Sequence, residues 1–163
     1  MSLSVENYFN HYYHSFSKLP DLVRMTTISF FKKVFHEDEI NDVLVNNRHL
    51  DAFDFIEFVL DYFNIDIAIN KNQLQRIPSY GRAVIIANHP LGALDSIALL
   101  NVIKDVRKDI KIVASNFLSE FKNLDEILIP VDNVKGKLKR SSAEAIYDAL
   151  NKDQVIVMFH SCE

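Results

Sequence analysis

Two side chains that can move and steer a proton lie close together in the segment AVIIANHPLGALDSIALL, residues 83–100. His89 has the side chain that most often acts as a general base near neutral pH. Asp95 can accept one imidazole N–H, fix the tautomer of the ring and stabilise the imidazolium as it forms. A histidine held in this way can deprotonate a hydroxyl or amine that attacks an acyl thioester. Backbone N–H groups at the start of a following helix can then stabilise the developing oxyanion.

A second interpretation fits the same spacing equally well. His89 is then a histidine at the end of a strand whose hydrogen bond is satisfied locally, and Asp95 is an ordinary helix N-cap. The spacing alone does not separate the two interpretations.

The residues around His89 are those of a strand that ends and turns back. Asn88 and His89 fall at the carboxyl end of a buried strand, where open α/β sheets bind their ligands. Pro90 favours an extended backbone at His89 and stops the strand, and Gly92 can adopt the positive φ that a tight return needs. The turn is therefore suited to present His89.

The C-terminal two thirds of the chain predict an α/β fold. Four short runs rich in β-branched residues read as strands buried on both faces: Ala83–Asn88, Ile110–Ser115, Glu126–Val131 and Gln154–Phe159. Three helical segments alternate with them: Ser96–Val106, Phe117–Leu124 and Ser141–Asn151. This β-α-β-α-β-α-β order predicts a mostly parallel sheet covered by helices. Ile65–Ile69 is a candidate for one further strand.

The N-terminal part, Val5–Phe63, reads as helical, because apolar residues recur at steps of three and four. We therefore divide the chain into a helical region, residues 1–64, and an α/β core, residues 65–163. In Leu22–Phe35 the apolar stripe favours a helix that packs on a core over one that lies on a membrane. The acidic stripe of Leu50–Phe63 is expected to be a solvated face without chemistry; its members are Asp51, Asp54, Glu57 and Asp61.

Composition narrows the function classes. A net charge of −4 gives no general attraction for nucleic acid, so none is expected as a partner. The single cysteine, Cys162, excludes an internal disulfide framework, and no secretory signal is recognised, so a cytoplasmic location is expected. Charges interrupt every apolar stretch before the length of a membrane span is reached. Any contact with a bilayer is therefore expected at its surface, on the inner face.

Asn88, His89 and Asp95 resemble the NH…D motif of the PlsC-like lysophospholipid and glycerol-phosphate acyltransferases. The commonest form of that motif has four residues between His and Asp, whereas this chain has the five residues 90–94. The longer motif, NHPLGALD, is similar to the motif of a subgroup described as hemolysins and lyso-ornithine-lipid or glycine-lipid acyltransferases. The resemblance implies that His89 is the general base and that Asp95 orients it.

Two later segments extend the resemblance, which spans residues 56–163. Residues 129–132, IPVD, look like a strand end of the subgroup that precedes a basic loop, and FHSCE, residues 159–163, has the spacing of an F-P-x-G-E segment. His160 and Cys162 depart from that pattern. The resemblance implies substrate-binding roles for a set of residues: Asn88, Gly92, Lys135, Lys137, Arg140 and Glu163. A solvated basic turn explains the lysines and Arg140 at least as well.

The resemblance implies transfer of a fatty acyl group from acyl carrier protein or coenzyme A to a lyso-lipid or similar amphiphilic acceptor. The donor thioester is already activated, so neither a metal nor a redox cofactor is expected. Because the family domain normally continues past the fourth strand, we expect a truncated domain. Its alternative function is that of an inactive lipid-binding or interaction module. An exposed sheet edge left after the last strand predicts a homodimer.

Overall fold

The computed structural model describes residues 4–13, 15–34, 36–88, 93–131 and 139–160. The chain forms two compact units, residues 1–49 and residues 50–163. Within the described residues, no helix combines the length and the apolar character that crossing a membrane requires.

The first unit is helical, as predicted. Its described helices are α1 (Val5–Tyr12), α2 (Asp21–Val34) and α3 (Glu37–Asn46), with a 3-10 turn at Phe16–Lys18. Glu37 is buried at the start of α3, where its carboxylate accepts the Val5 N–H of α1 at 2.8 Å and pairs with Lys32 of α2 at 3.0 Å. One carboxylate therefore joins all three helices.

The apolar stripe predicted on α2 is only partly buried. Ile28 is buried and Phe31 is half-buried, but Leu22 is 76% exposed and Met25 is also on the surface. The prediction of a core-packing helix is therefore confirmed for one side of α2 and wrong for the other.

The described residues of the second unit form four α-helices, two 3-10 helices and four strands. The helices are α4 (Ala52–Tyr62), α5 (Lys71–Leu74), α6 (Ala93–Lys104) and α7 (Arg140–Asn151). The strands are β1 (Ala83–Asn88), β2 (Ile110–Ser115), β3 (Leu128–Val131) and β4 (Val155–His160). All are parallel and lie in the order β1-β4-β2-β3. The predicted α/β class with a parallel sheet is confirmed.

Helices cover the two faces of this sheet. The crossovers from β1 to β2 and from β3 to β4 run in opposite directions across the sheet, so the right-handed rule places α6 and α7 on opposite faces. α7 packs on the face of the sheet that carries Val113 and Ile156. Among the strand residues, the central strands β2 and β4 hold the side chains with the least exposure: Ile110, Ile112, Val155, Ile156 and Val157.

Three sequence expectations differ from the fold. β1 is not buried on both faces, because it lies at the sheet edge where α7 does not cover Val84 and Ile86. The segment predicted as the helix Phe117–Leu124 forms two 3-10 helices, Asn116–Glu120 and Lys122–Leu124, closed by bonds between residues three apart. Ile65–Ile69 is irregular and adds no strand.

The helix α4 belongs with the sheet. It packs against α6, and Lys104 of α6 forms an ion pair with Glu57 of α4. The boundary between the compact units lies between residues 49 and 50 of the chain, whereas the predicted division was after residue 64. The acidic stripe of α4 is exposed, as expected, and Asp51 caps the helix by accepting the N–H groups of Phe53 and Asp54 at 2.9 Å.

Candidate active site

The candidate site lies at the carboxyl edge of the parallel sheet. Asn88 is the last residue of β1, and its Cα partner on the neighbouring strand is His160, the last residue of β4. Asn88 is exposed. Because the strands are parallel, the carboxyl ends of β1, β4, β2 and β3 all face this edge, where α/β sheets bind ligands.

Asp95 lies in the first turn of α6, immediately beyond the connection from β1. The helix begins at Ala93, so Asp95 is inside the helix and is not its N-cap. Its side chain is half-buried. The interpretation of Asp95 as an ordinary N-cap is therefore wrong. A carboxylate in the first turn also interacts favourably with the positive end of the helix dipole.

His89 and Gly92 lie outside the described residues, in the segment 89–92 that joins Asn88 to Ala93. The described residues thus fix both ends of the segment that carries the histidine, with Asn88 on the strand and Asp95 on the helix. The pairing of His89 with Asp95 stays a prediction.

The helix that carries Asp95 is firmly anchored. Leu100 and Ile103 of α6 are almost fully buried, and Lys104 pairs with Glu57 of α4. Burying two large aliphatic side chains contributes on the order of 3–6 kcal/mol of hydrophobic free energy. The position of Asp95 relative to the sheet is therefore set by packing further along the same helix.

Arg107 clamps the opposite end of the sheet. Its guanidinium donates to the carbonyl oxygens of Gly81 and Asp153, both at 2.7 Å, and of Pro78 at 3.1 Å. It also binds both carboxylate oxygens of Asp109, at 2.7 and 2.5 Å. These partners immediately precede β1, β4 and β2. One buried cation therefore aligns the amino ends of three strands, and so the carboxyl ends at the site.

The Arg107–Asp109 pair has electrostatic consequences for both groups. The hydrogen bond from Arg107 lowers the pKa of the Asp109 carboxyl below its ordinary value of 3.8, although partial burial opposes this shift. The same hydrogen bond raises the pKa of Arg107. Both charges therefore persist across the neutral range. Sequence reasoning missed this clamp; the only signal was an R-x-D between a predicted helix and a predicted strand.

The residues proposed to bind the substrate are only partly described. Lys135, Lys137 and Glu163 lie outside the described residues. Arg140 is the first residue of α7, with its side chain 93% exposed, and pairs with Glu144 one turn later at 2.8 Å. Exposed helix pairs of this kind are common and weak. The contact therefore fits a solvated basic turn, and the binding role of Arg140 stays a prediction.

The start of α7 is tied to the end of β3. The Ser142 hydroxyl is buried and donates to the Pro130 carbonyl oxygen at 2.7 Å. This bond joins the two described elements that flank the basic segment 132–139 in the sequence.

Comparison with known proteins places this chain in a family. The sequence model of the acyltransferase family matches residues 16–161. Two curated proteins named lyso-glycine lipid O-acyltransferase, from Phocaeicola vulgatus and Bacteroides thetaiotaomicron, are each 26% identical over 133 residues, or 81% of this chain. The matched part is 47% and 48% of those proteins, so the chain spans about half the length of these relatives. No solved structure matches significantly. The resemblance to the acyltransferases and to their glycine-lipid subgroup is confirmed.

Proposed function

Because the chain belongs to the acyltransferase family, we propose that it transfers a fatty acyl group from acyl carrier protein or coenzyme A to a lyso-lipid or similar amphiphilic acceptor. The two relatives are named for O-acyl transfer to a lyso-glycine lipid, which favours a hydroxyl as the accepting group. The donor thioester is already activated, so the reaction requires neither a metal nor a redox cofactor.

In the proposed reaction, His89 takes the proton of the acceptor hydroxyl while the oxygen attacks the thioester carbonyl. Asp95 accepts the other imidazole N–H and stabilises the imidazolium. The C–O bond forms, the C–S bond breaks, and the proton held by His89 passes to the departing thiolate. Backbone N–H groups at the start of α6 are suited to stabilise the intermediate oxyanion.

The observation that carries this proposal is the placement of the motif. Asn88 ends a parallel strand at the carboxyl edge of the sheet, and Asp95 sits in the first turn of the next helix. Only residues 89–92 separate the two elements, so His89 belongs to a short connection at the position where α/β sheets bind substrates.

Charged residues after β3 are proposed to hold the anionic part of a substrate. Lys135, Lys137 and Arg140 lie in or next to the segment that Ser142 ties to Pro130. The phosphopantetheine arm of the donor and the head group of the acceptor both carry suitable anionic groups. Gly92 and Glu163 complete the proposed binding set.

The decisive measurement is acyl transfer from a radiolabelled acyl donor to a lyso-lipid, with the wild type, His89→Ala and Asp95→Asn. We expect loss of transfer by at least about two orders of magnitude for His89→Ala, the usual contribution of a general base. Asp95→Asn should lower the rate less. His49→Ala is the matched control, because His49 is exposed and lies outside the motif, and it should keep the rate of the wild type. Equal rates for wild type and His89→Ala, or no transfer by either, would overturn the proposal for this chain.

One observation favours a second function, that of an inactive lipid-binding or interaction module. His160 and Cys162 depart from the subgroup pattern. Binding of a lyso-lipid by the wild type, without turnover and without sensitivity to His89→Ala, would support this function.

We also propose a peripheral contact with the inner face of the membrane. Leu22, Met25 and Phe30 of α2 are exposed, and Lys33 lies on the same helix. Apolar side chains flanked by lysines suit an anionic lipid surface. In flotation assays with anionic vesicles, the double substitution Leu22→Glu, Phe30→Glu should abolish binding, whereas Tyr147→Glu, at an exposed site on α7, should not. Equal flotation of both variants would contradict this contact.

A further inference from the structure

The two edges of the sheet differ in how they discourage pairing with another strand. β3 forms one edge; it has only four residues, and Pro130 removes one backbone donor. β1 forms the other edge with six residues, AVIIAN, that contain neither proline nor charge. Among the described strands, only β1 presents an edge without such protection.

The exposed edge was predicted without naming the strand that forms it, and the strand order identifies that strand. β4 lies between β1 and β2, so both of its sides are paired. The open edge belongs to the strand that leads into the candidate active site.

The outward backbone groups of β1 coincide with its exposed side chains. The Ala83 N–H donates to the Gln154 carbonyl oxygen, so residues 83, 85 and 87 direct their backbone groups towards β4. By strand alternation, Val84, Ile86 and Asn88 direct theirs to the outside. Val84 and Ile86 are also 49% and 71% exposed, at the edge of the face on which α7 packs, where the helix does not reach them.

We propose that this edge pairs with the same edge of a second copy of the chain, antiparallel, around a two-fold axis perpendicular to the sheet at Ile85. In this register Val84 lies opposite Ile86 of the second copy, and Arg82 lies opposite Asn88 of the second copy. Apolar side chains therefore meet apolar ones, and a guanidinium meets an amide oxygen. The outward residues form the hydrogen-bonded pairs of an antiparallel ladder.

Self-complementarity selects this register over its neighbours. An axis at Ile86 would place Val84 opposite Asn88 and leave Arg82 without a partner on the strand. A shift of a single residue would put side chains of opposite faces against each other, which a two-fold axis perpendicular to the sheet does not allow. No like charges face each other in the register centred on Ile85.

The interface consists mainly of one strand from each copy and is therefore small. Small interfaces are usually transient. The expected behaviour is therefore a monomer–dimer equilibrium that shifts with concentration. The pairing also brings Arg82 of the second copy next to Asn88, the residue that ends β1 at the candidate site. Dimer formation is therefore expected to change the surroundings of this site.

Sedimentation velocity over a range of protein concentrations tests the oligomeric state. The wild type should form a dimer on concentration, whereas Ile86→Lys and Val84→Lys should stay monomeric. Each places a lysine opposite an apolar side chain of the second copy and brings the lysines of the two copies diagonally together at the centre of the interface. Val45→Lys is the matched control, because Val45 has the same exposure as Val84 but lies on α3. Circular dichroism identifies any variant that fails to fold. A wild type that stays monomeric, or a dimer that survives both lysine substitutions, overturns the proposal.

Disulfide trapping tests the register. In a Cys162→Ser background, Ile85→Cys should cross-link two copies on mild oxidation, because residue 85 lies opposite itself at a distance that permits a disulfide. Ile86→Cys should cross-link much more slowly. Faster cross-linking of Ile86→Cys overturns the register centred on Ile85, and equal absence of cross-links in both variants overturns the pairing.

Discussion

The two compact units bury apolar side chains to different degrees. All the largest fully buried side chains among the described residues belong to the unit of residues 50–163, and they are Ile56, Leu100, Ile103, Ile110, Ile112, Val155, Ile156 and Val157. In the described part of residues 1–49, the buried apolar side chains are Val5, Phe16, Ile28 and Leu44. The sheet unit therefore has a continuous core, whereas the helical unit has a thin one.

Other interactions contribute a larger share in the helical unit. Phe9 contacts Phe16 and Phe31 with ring centroids 4.9 and 5.0 Å apart, and Glu37 joins three helices through its carboxylate. Stability concentrates where the candidate site must be held in place, while the thinner unit leaves apolar side chains exposed. The difference teaches that the part of the chain that positions the candidate site is also the part with the continuous core.

The largest expected loss of stability comes from truncating a side chain in the core of the sheet. Ile112→Ala should lower the free energy of unfolding of residues 50–163 by about 3–5 kcal/mol, because β2 is central and the cavity cannot collapse. The matched change in the thin core, Ile28→Ala, should cost about 2 kcal/mol or less. Hydrogen exchange with mass spectrometry reports the two units separately. Equal losses for the two variants would remove the contrast.

A smaller effect is expected at the clamp. Arg107→Met leaves the carbonyl oxygens of Gly81 and Asp153 without their charged donor, and should cost about 2–3 kcal/mol. Arg82→Met is the control, because Arg82 is exposed and its ion pair with Asp153 is long, at 3.8 Å. That change should cost less than about 0.5 kcal/mol. Urea unfolding followed by circular dichroism checks both; similar midpoints would show that Arg107 does not act as a clamp.

The positions of several strands and the family of the chain were predictable from local sequence. Ala83–Asn88 and Ile110–Ser115 were located to the residue, because short β-branched runs bounded by polar residues are typical of strands in a buried sheet. The NHPLGALD segment led to the correct family because its residue pattern is specific. Both inferences depend on residues that are neighbours in the chain.

The remaining features depend on residues that are distant in the chain. Strand order is not written in any one segment, so the edge position of β1 and the exposure of Ile86 were missed. Arg107 gathers carbonyl groups from 26 and 46 residues away, which no local pattern records. The candidate site could be predicted from the sequence because its motif is contiguous, whereas the clamp that aligns its strands could not.

Strong acid should weaken the clamp between Arg107 and Asp109. The pKa of Asp109 is lowered by the hydrogen bond from Arg107, so the folded state holds this carboxyl ionised more strongly than the unfolded state does. The stability it contributes is complete above the unfolded value near 3.8 and is lost as the pH falls through the lower folded pKa. Asp109→Asn should flatten the acid limb of stability against pH, whereas the exposed Asp105→Asn should not. Parallel acid limbs for both variants would contradict this assignment.

The smallest effect is expected at the charge that joins the three N-terminal helices. Glu37→Gln keeps an acceptor for the Val5 N–H but removes the attraction for Lys32, a partner that is nearly half exposed, so the loss should stay below about 1 kcal/mol at neutral pH. The hydrogen bond that Lys32 donates to Glu37 raises the pKa of Lys32 above 10.5, so this contribution is present below the unfolded value and is lost as the pH rises through the folded one. Hydrogen exchange of α1, with the exposed Glu39→Gln as control, measures the change. Unfolding of residues 1–49 by Glu37→Gln would mean that charge, rather than the aromatic cluster, holds the thin core together.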